Sequence, residues 1–267
     1  MAVIALTSAK GSPGVTAAAL ALTLTWPGRC VLAECDPAGG SIQAGYLAGA
    51  LPADRGIREL AVAELRGDDL RGEDLRRHWW GQLVDLHPPH RQRLLLPGIT
   101  DPAQSGTLRP VWEKFAEFFA ELEGTDQCDV IVDCGRIATP NPPWPLLLSA
   151  DLVLLTLRPD LPGMSAAVPA VRALRTQLTE QGAGAGPLAL LLTGGGDQSS
   201  RTVARELATP VVATLPDDPR TATVLSRGGT VRTTSALMRA AAGAHARIAG
   251  HVTARRDAQH PDPAATS

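Results

Sequence analysis

The chain alternates short, wholly apolar runs with longer stretches whose apolar positions recur every three to four residues. VIALT (3–7), RCVLAEC (29–35), RLLLPG (93–98) and CDVIVDCG (128–135) are of the first kind. So are ADLVLLTLRPD (150–160), PLALLLTGGG (187–196) and TPVVATLPDDP (209–219). Continuous apolar runs of this length, bounded by turn residues, predict strands buried on both faces. Helical patterning predicts helices at 16–24, 163–181, 198–207, 219–227 and 235–256, with two short charged helices and a glycine between them over 57–80. In LRPVWEKFAEFFAELEG, Trp112, Phe115, Phe119 and Leu122 share one face of a further helix. The Pro-rich stretch ATPNPPWP (138–145) predicts irregular chain. Buried strands alternating with helices give an α/β fold, a mostly parallel sheet with helices on both faces. There is no internal repeat and no Gly/Ser linker, so 1–256 reads as one domain and 257–267 as a disordered tail.

Composition narrows the classes. With 44% hydrophobic and 19% charged residues, the chain is not of the disordered type. A net charge of -2 gives no global attraction to nucleic acid, so DNA binding would need a local basic patch. No apolar run approaches the roughly 20 residues of a membrane span, and no basic leader precedes the first strand, which predicts a cytoplasmic protein. Cys30, Cys35, Cys128 and Cys134 lie in or beside strands with spacings that match no zinc pattern; they read as reduced, buried thiols. Of 25 basic residues only Lys10 and Lys114 are lysines. A chain that uses arginine almost everywhere keeps a lysine inside its Gly-rich loop.

In open parallel sheets, ligands bind outside the carboxyl ends of the strands. Three such ends carry chemistry here: the loop SAKGSPGVT (8–16), Asp36 after the second strand, and Asp133 ending the strand from 128. A Gly-rich turn that opens a helix has the outline of a phosphate cradle, yet Val15 stands where such loops place their lysine. Each residue also has a plainer reading. Lys10 can be a solvated loop lysine, and Asp36 can be turn chemistry in Asp-Pro-x-Gly. Asp133 is harder to dismiss, because an acid ending a buried strand is costly without a partner. Arg136 and Arg158 suit phosphate, a partner or solvent equally, and His87 and His90 of HPPH read as exposed loop histidines. The stripe Leu237, Ala241, Ala244, Ile248 and Val252 predicts a helix docked on the core. With Arg239, Arg247, Arg255 and Arg256, that helix is alternatively a peripheral membrane or DNA contact.

The frame Lys10-Gly11-Ser12-Pro13-Gly14-Val15-Thr16 resembles the deviant phosphate loop K-G-G-x-G-K-[ST] of the ParA/MinD-type P-loop ATPases, with Lys10 as its early lysine. ECDPAGG (34–40) is similar to the family's D-x-D-P-Q-G segment and puts Asp36 at its aspartate, while CDVIVDCGR (128–136) resembles the strand ending in the magnesium-side aspartate, here Asp133. Residues 150–167 and 215–229 resemble later family segments, so the likeness runs to about residue 250. The D-x-G-R ending and the R-P-D segment look closest to the branch containing CpaE and TadZ, which localise pilus or secretion machinery.

The resemblance implies ATP or ADP with Mg2+ as cofactor, bound by Lys10, Gly11, Ser12, Gly14, Val15, Thr16, Ala17, Asp133, Pro216 and Asp217. It puts Thr16, Asp36 and Asp133 on the metal side, gives Lys10 and Asp36 to catalysis, and implies a homodimer in which Lys10 reaches the partner subunit's nucleotide. The departures matter as much. Val15 removes the loop lysine, Pro13 removes an N–H, Ala9 replaces the opening glycine, and Thr193-Gly194 stands at the adenine-side asparagine. A charge-assisted contact contributes about 1.5–3 kcal/mol, so its loss weakens binding about ten- to a hundredfold, and damages hydrolysis more. Three classes remain open: a dimeric positioning or regulatory protein with weak or absent ATPase, acting through protein partners; a ParA-type partitioning ATPase that binds DNA non-specifically; and an ATP-dependent amidating synthase. The broken loop favours the first.

Overall fold

The computed structural model describes residues 2–10, 14–49, 55–66, 72–182, 184 and 186–259. Eight strands form one sheet: β1 (Val3–Ser8), β2 (Cys30–Glu34), β3 (Val84–Asp85), β4 (Arg93–Leu96), β5 (Asp129–Arg136), β6 (Leu152–Leu157), β7 (Leu188–Thr193) and β8 (Val211–Leu215). Their order is β3-β4-β2-β5-β1-β6-β7-β8. Every neighbouring pair is parallel except β3 with β4. The seven longer strands are the apolar runs of the sequence. Six of the eight, the exceptions being β3 and β8, have every interior residue buried, as a sheet covered on both faces requires.

The helices are α1 (Val15–Thr25), α2 (Ile57–Leu65), α3 (Gly72–Gln82), α4 (Ser105–Leu108), α5 (Trp112–Asp126), α6 (Trp144–Ser149), α7 (Leu161–Gln181), α8 (Ser200–Glu206), α9 (Pro219–Arg227) and α10 (Ala236–Gln259). Two apolar cores separate along the pleat. Val3 and Ala5 face a core shared with α5 and α7, whereas Ile4 and Leu6 face one shared with α1 and α10. Trp112, Phe115, Phe119 and Leu122 of α5 fill the first core together with Trp79. Leu237, Ala241, Ala244, Ile248 and Val252 of α10 are all buried in the second, so this stripe docks on the core as its spacing predicts.

Three features differ from the sequence reading. The Pro-rich stretch ends in a helix, because α6 begins at Trp144 with Pro145 in its first turn, where a missing N–H leaves nothing unpaired. The two-residue strand β3 is too short for any period to reveal. The last helix runs to Gln259, and the remainder of the tail lies outside the described residues.

At the amino ends of the strands, carboxylates tie the sheet together. Asp129 accepts the Ala2 N–H (2.6 Å) and the Trp26 indole N–H (2.8 Å), and Asp151 accepts the Val3 N–H (2.8 Å) and Arg256 (2.8 Å). These clamps lie at the amino ends of the strands. The carboxyl ends carry the residues with chemistry.

Candidate functional site

The chain leaves β1 at Ser8, reaches the exposed Lys10 and enters α1 through Gly14. Gly14 has φ +84°, the left-handed conformation that glycine adopts without a Cβ penalty, and no side chain caps α1. Gly11, Ser12 and Pro13 lie outside the described residues. Val15 is 7% exposed and packs in the core with Ile4 and Leu6, so at this position the chain has an apolar anchor in place of a cation.

Thr16 follows in the first turn. Its hydroxyl donates to Asp133 Oδ2 at 2.5 Å, and the Gly135 N–H donates to Asp133 Oδ1 at 2.9 Å. Asp133 is 1% exposed. Burial pushes its carboxyl up to about 7; the two hydrogen bonds hold it down in part, and the nearby Glu34 and Asp36 carboxylates push it further up. Asp36 accepts the Ala38 N–H at 2.8 Å, which is the turn chemistry of its plainer reading. It also lies against β5. Burial raises its carboxyl, opposed by the Ala38 N–H and by Arg136. Gly135 makes this approach possible: with φ +60°, a Cβ there would stand 2.1 Å from Asp36 Cγ.

Glu34 is a residue the sequence reading passed over. It is buried at the end of β2, where Oε1 accepts the N–H groups of Ser41 (2.8 Å) and Ile42 (3.0 Å) and Oε2 accepts that of Gly98 (3.3 Å). It thereby fastens the segment after Asp36 to the end of β4, and burial raises its carboxyl. Glu34, like Asp133, is an acid in a buried strand and needs partners.

On the other side of α1 opens a cleft of about 170 Å³, lined by Gly14, Ala17, Arg158, Gly194, Pro216 and Asp217 among others. Arg158 crosses it, donating to the Gly195 carbonyl (3.1 Å) and standing 3.4 Å from Asp160. Gly194, with φ +71°, leaves it room, since a Cβ there would meet the guanidinium at 3.2 Å. Asp218, also on the lining, caps α9 through Thr221 and accepts the Leu237 N–H.

The predicted residues therefore form two groups flanking the first turn of α1. Thr16, Asp133 and Asp36 make a carboxylate side; Gly14, Ala17, Pro216 and Asp217 make a cleft side. Arg136 is exposed at the end of β5, and His87 and His90 are exposed in their loop. All four cysteines are buried and none forms a disulfide. Among the described residues no cluster of three or more His, Cys, Asp or Glu could hold a metal alone. Thr16 and Asp133 are nonetheless hard oxygen donors of the kind Mg2+ takes when phosphates and water complete its shell.

No protein-family model matches the sequence, and no curated protein matches it. Solved structures do. A MinC:MinD cell division protein complex from Aquifex aeolicus is 15% identical with a TM-score of 0.67, over 94% of this chain and 96% of that one. The septum site-determining protein MinD complexed with Mg-ADP from Pyrococcus horikoshii OT3 is 19% identical with a TM-score of 0.65, over 98% and 99%. A ParA family ATPase from Chlorobium tepidum TLS is 16% identical with a TM-score of 0.65, over 91% and 97%. At such identities the likeness shows the fold, which this chain shares over nearly the full length of each.

Proposed function

We propose that this chain is a ParA/MinD-like nucleotide-binding protein with weak or absent ATPase activity, acting in the cytoplasm as a nucleotide-linked dimer through protein partners that position a pilus, a secretion machine, the cell pole or the septum. The observation that carries this reading is the Thr16–Asp133 hydrogen bond of 2.5 Å at the start of α1, beside the cleft. A phosphate loop needs that hydroxyl and that carboxylate on its metal side. Their survival without the loop lysine fits binding better than turnover.

Thr16 and Asp133 would hold Mg2+, with Asp36 close by, and the ion when bound supplies charge neutralisation to phosphate oxygens. The first-turn N–H groups of α1 and its dipole attract the anion. The cleft at Arg158, Pro216 and Asp217 receives the base and ribose. Val15 offers no charge to the transferring phosphoryl group, and such stabilisation is most of what a protein contributes to phosphoryl transfer. Lys10, exposed ahead of the loop, is free to reach a second subunit. The D-C-G-R and R-P-D segments, which point to the CpaE/TadZ branch, have work here: Gly135 seats Asp36, and Arg158 lines the cleft.

The DNA-binding alternative is less well supported. Arg255 and Arg256 are engaged with Asp151, so of the four arginines on α10 only Arg239 and Arg247 are exposed and unattached to another element. The deciding experiment pairs a steady-state ATPase assay with affinity capture of partners from lysate, with and without ATP and Mg2+. Turnover near background with nucleotide-dependent capture of a protein partner supports the reading. Sustained turnover together with ATP-dependent, salt-sensitive DNA binding that is lost on Arg239 and Arg247 substitution would replace it with the partitioning ATPase.

A further inference from the structure

Ser8 and Thr156 face each other across the carboxyl ends of the paired strands β1 and β6. Both are almost fully buried, at 0% and 1% exposure. Alternation along the strands puts them on the α1 side of the sheet: Ile4 and Leu6 of β1, and Leu152 and Leu154 of β6, line the core on that side. Asp133, in register with Leu6, points to the same side, where Thr16 meets it. Strand order places Asp133, Ser8 and Thr156 on three adjacent strands, β5-β1-β6. Arg158, two residues beyond Thr156, lines the cleft. The two hydroxyls thus lie between the carboxylate side and the cleft side of the site.

Among the described residues neither hydroxyl has a hydrogen-bond partner. A buried hydroxyl without a partner destabilises the fold, and alanine or valine would avoid that penalty without disturbing a strand. Other buried hydroxyls of the sheet are satisfied: Thr7 Oγ1 donates to the Gly135 carbonyl and Thr193 Oγ1 to the Leu157 carbonyl. The unpaired two stand together, on the one face and at the one end where an anionic oxygen would pass from metal side to cleft.

We propose that Ser8 and Thr156 are ligand residues, whose hydroxyls donate to the phosphate chain of the bound nucleotide between the Thr16–Asp133 pair and the cleft. They supply part of the hydrogen bonding that the loop forgoes through Val15 and Pro13. This inference rests on the nucleotide-binding reading above.

The test compares wild type, Ser8→Ala, Thr156→Val, the double variant and Thr156→Ser by thermal unfolding and calorimetry. The probes are ADP with Mg2+, inorganic triphosphate with Mg2+, and adenosine. Without ligand, Ser8→Ala and Thr156→Val should melt at or above the wild-type temperature, because each removes an unsatisfied group. The double variant should bind ADP and triphosphate at least about tenfold more weakly, as two lost hydrogen bonds to charged oxygens imply. Adenosine should bind all variants equally, and Thr156→Ser should recover the affinity lost in Thr156→Val. ADP affinity of the double variant within about twofold of wild type, against the tenfold loss expected from such bonds, would overturn the proposal. So would ligand-free melting temperatures that fall in both single variants, which would make the hydroxyls structural. If wild type itself binds neither ADP nor triphosphate, the nucleotide reading fails, and this inference falls with it.

Discussion

Replacing Asp133 with Asn probes the carboxylate side by removing a charge while keeping the shape. In the ligand-free chain Asp133 titrates near 7, against an ordinary value of 3.8, chiefly because it is buried. The folded state therefore holds this proton more tightly than the unfolded chain does. Stability conferred by the neutral carboxyl is complete below the unfolded value and is lost as pH rises through the folded one. The span from 3.8 to about 7 corresponds to at most about 4 kcal/mol at about 1.4 kcal/mol per decade. Asn stays neutral throughout and can still accept the Gly135 N–H. Urea unfolding in the presence of chelator, at several pH values from 5 to 8, measures the difference. Glu34 and Asp36 are raised in the same direction, so both proteins keep some loss of stability with pH; the difference between them isolates Asp133. At pH 5, already above the ordinary value of 3.8, the variant should be ahead by about 1–2 kcal/mol, and by pH 8 by a few kcal/mol, within the limit set by the linkage. Adding ADP and Mg2+ should narrow the gap, stabilising wild type and leaving the variant unchanged. Parallel unfolding curves across the whole range would refute the assignment of Asp133 as a buried carboxylate awaiting a cation.

Gly135→Ala should cost at least about 2 kcal/mol, from the left-handed backbone and the collision with Asp36, and should abolish nucleotide-induced stabilisation; chemical denaturation with and without ADP checks both. Glu34→Ala strands three backbone N–H groups and should destabilise by at least about 2 kcal/mol, whereas Glu34→Gln, which keeps an acceptor for Ser41 and Ile42, should lose less. Equal losses in the two Glu34 variants would show that the carbonyl acceptor is not what matters. Lys10→Ala should leave the melting temperature unchanged and remove ATP-dependent dimerisation as read by light scattering; unchanged dimerisation would detach Lys10 from the partner subunit's nucleotide.

The sheet was legible because seven of its strands are unbroken apolar runs, and burial on both faces leaves no other pattern available to them. Asp133 was legible for a related reason: an acid closing a buried strand is costly without a partner, and Thr16 supplies one. Glu34, Gly135, Ser8 and Thr156 carry no role that the sequence alone shows, since the surroundings of each are set by the fold. Gly135 has meaning only once Asp36 is beside it. Ser8 and Thr156 are noticed only when register pairs them and leaves both without partners. Arg158 suits surface or site equally until Gly194, just past β7, gives it room across the cleft. The helix α6 escaped because Pro145 breaks a helix interior but is harmless in a first turn.

On the proposed reading, a phosphate and magnesium site persists at the carboxyl end of this sheet although a core valine replaces the loop lysine. Calorimetric titration of ATP into wild type and Val15→Lys, each with and without Mg2+, tests it most directly. Wild type should bind weakly, with a dissociation constant on the order of hundreds of micromolar or more, and more tightly with Mg2+; Val15→Lys should bind at least several-fold tighter, as about 1 kcal/mol or more from a charge-assisted contact implies. Nanomolar binding by wild type, or no binding by either protein, would contradict the account.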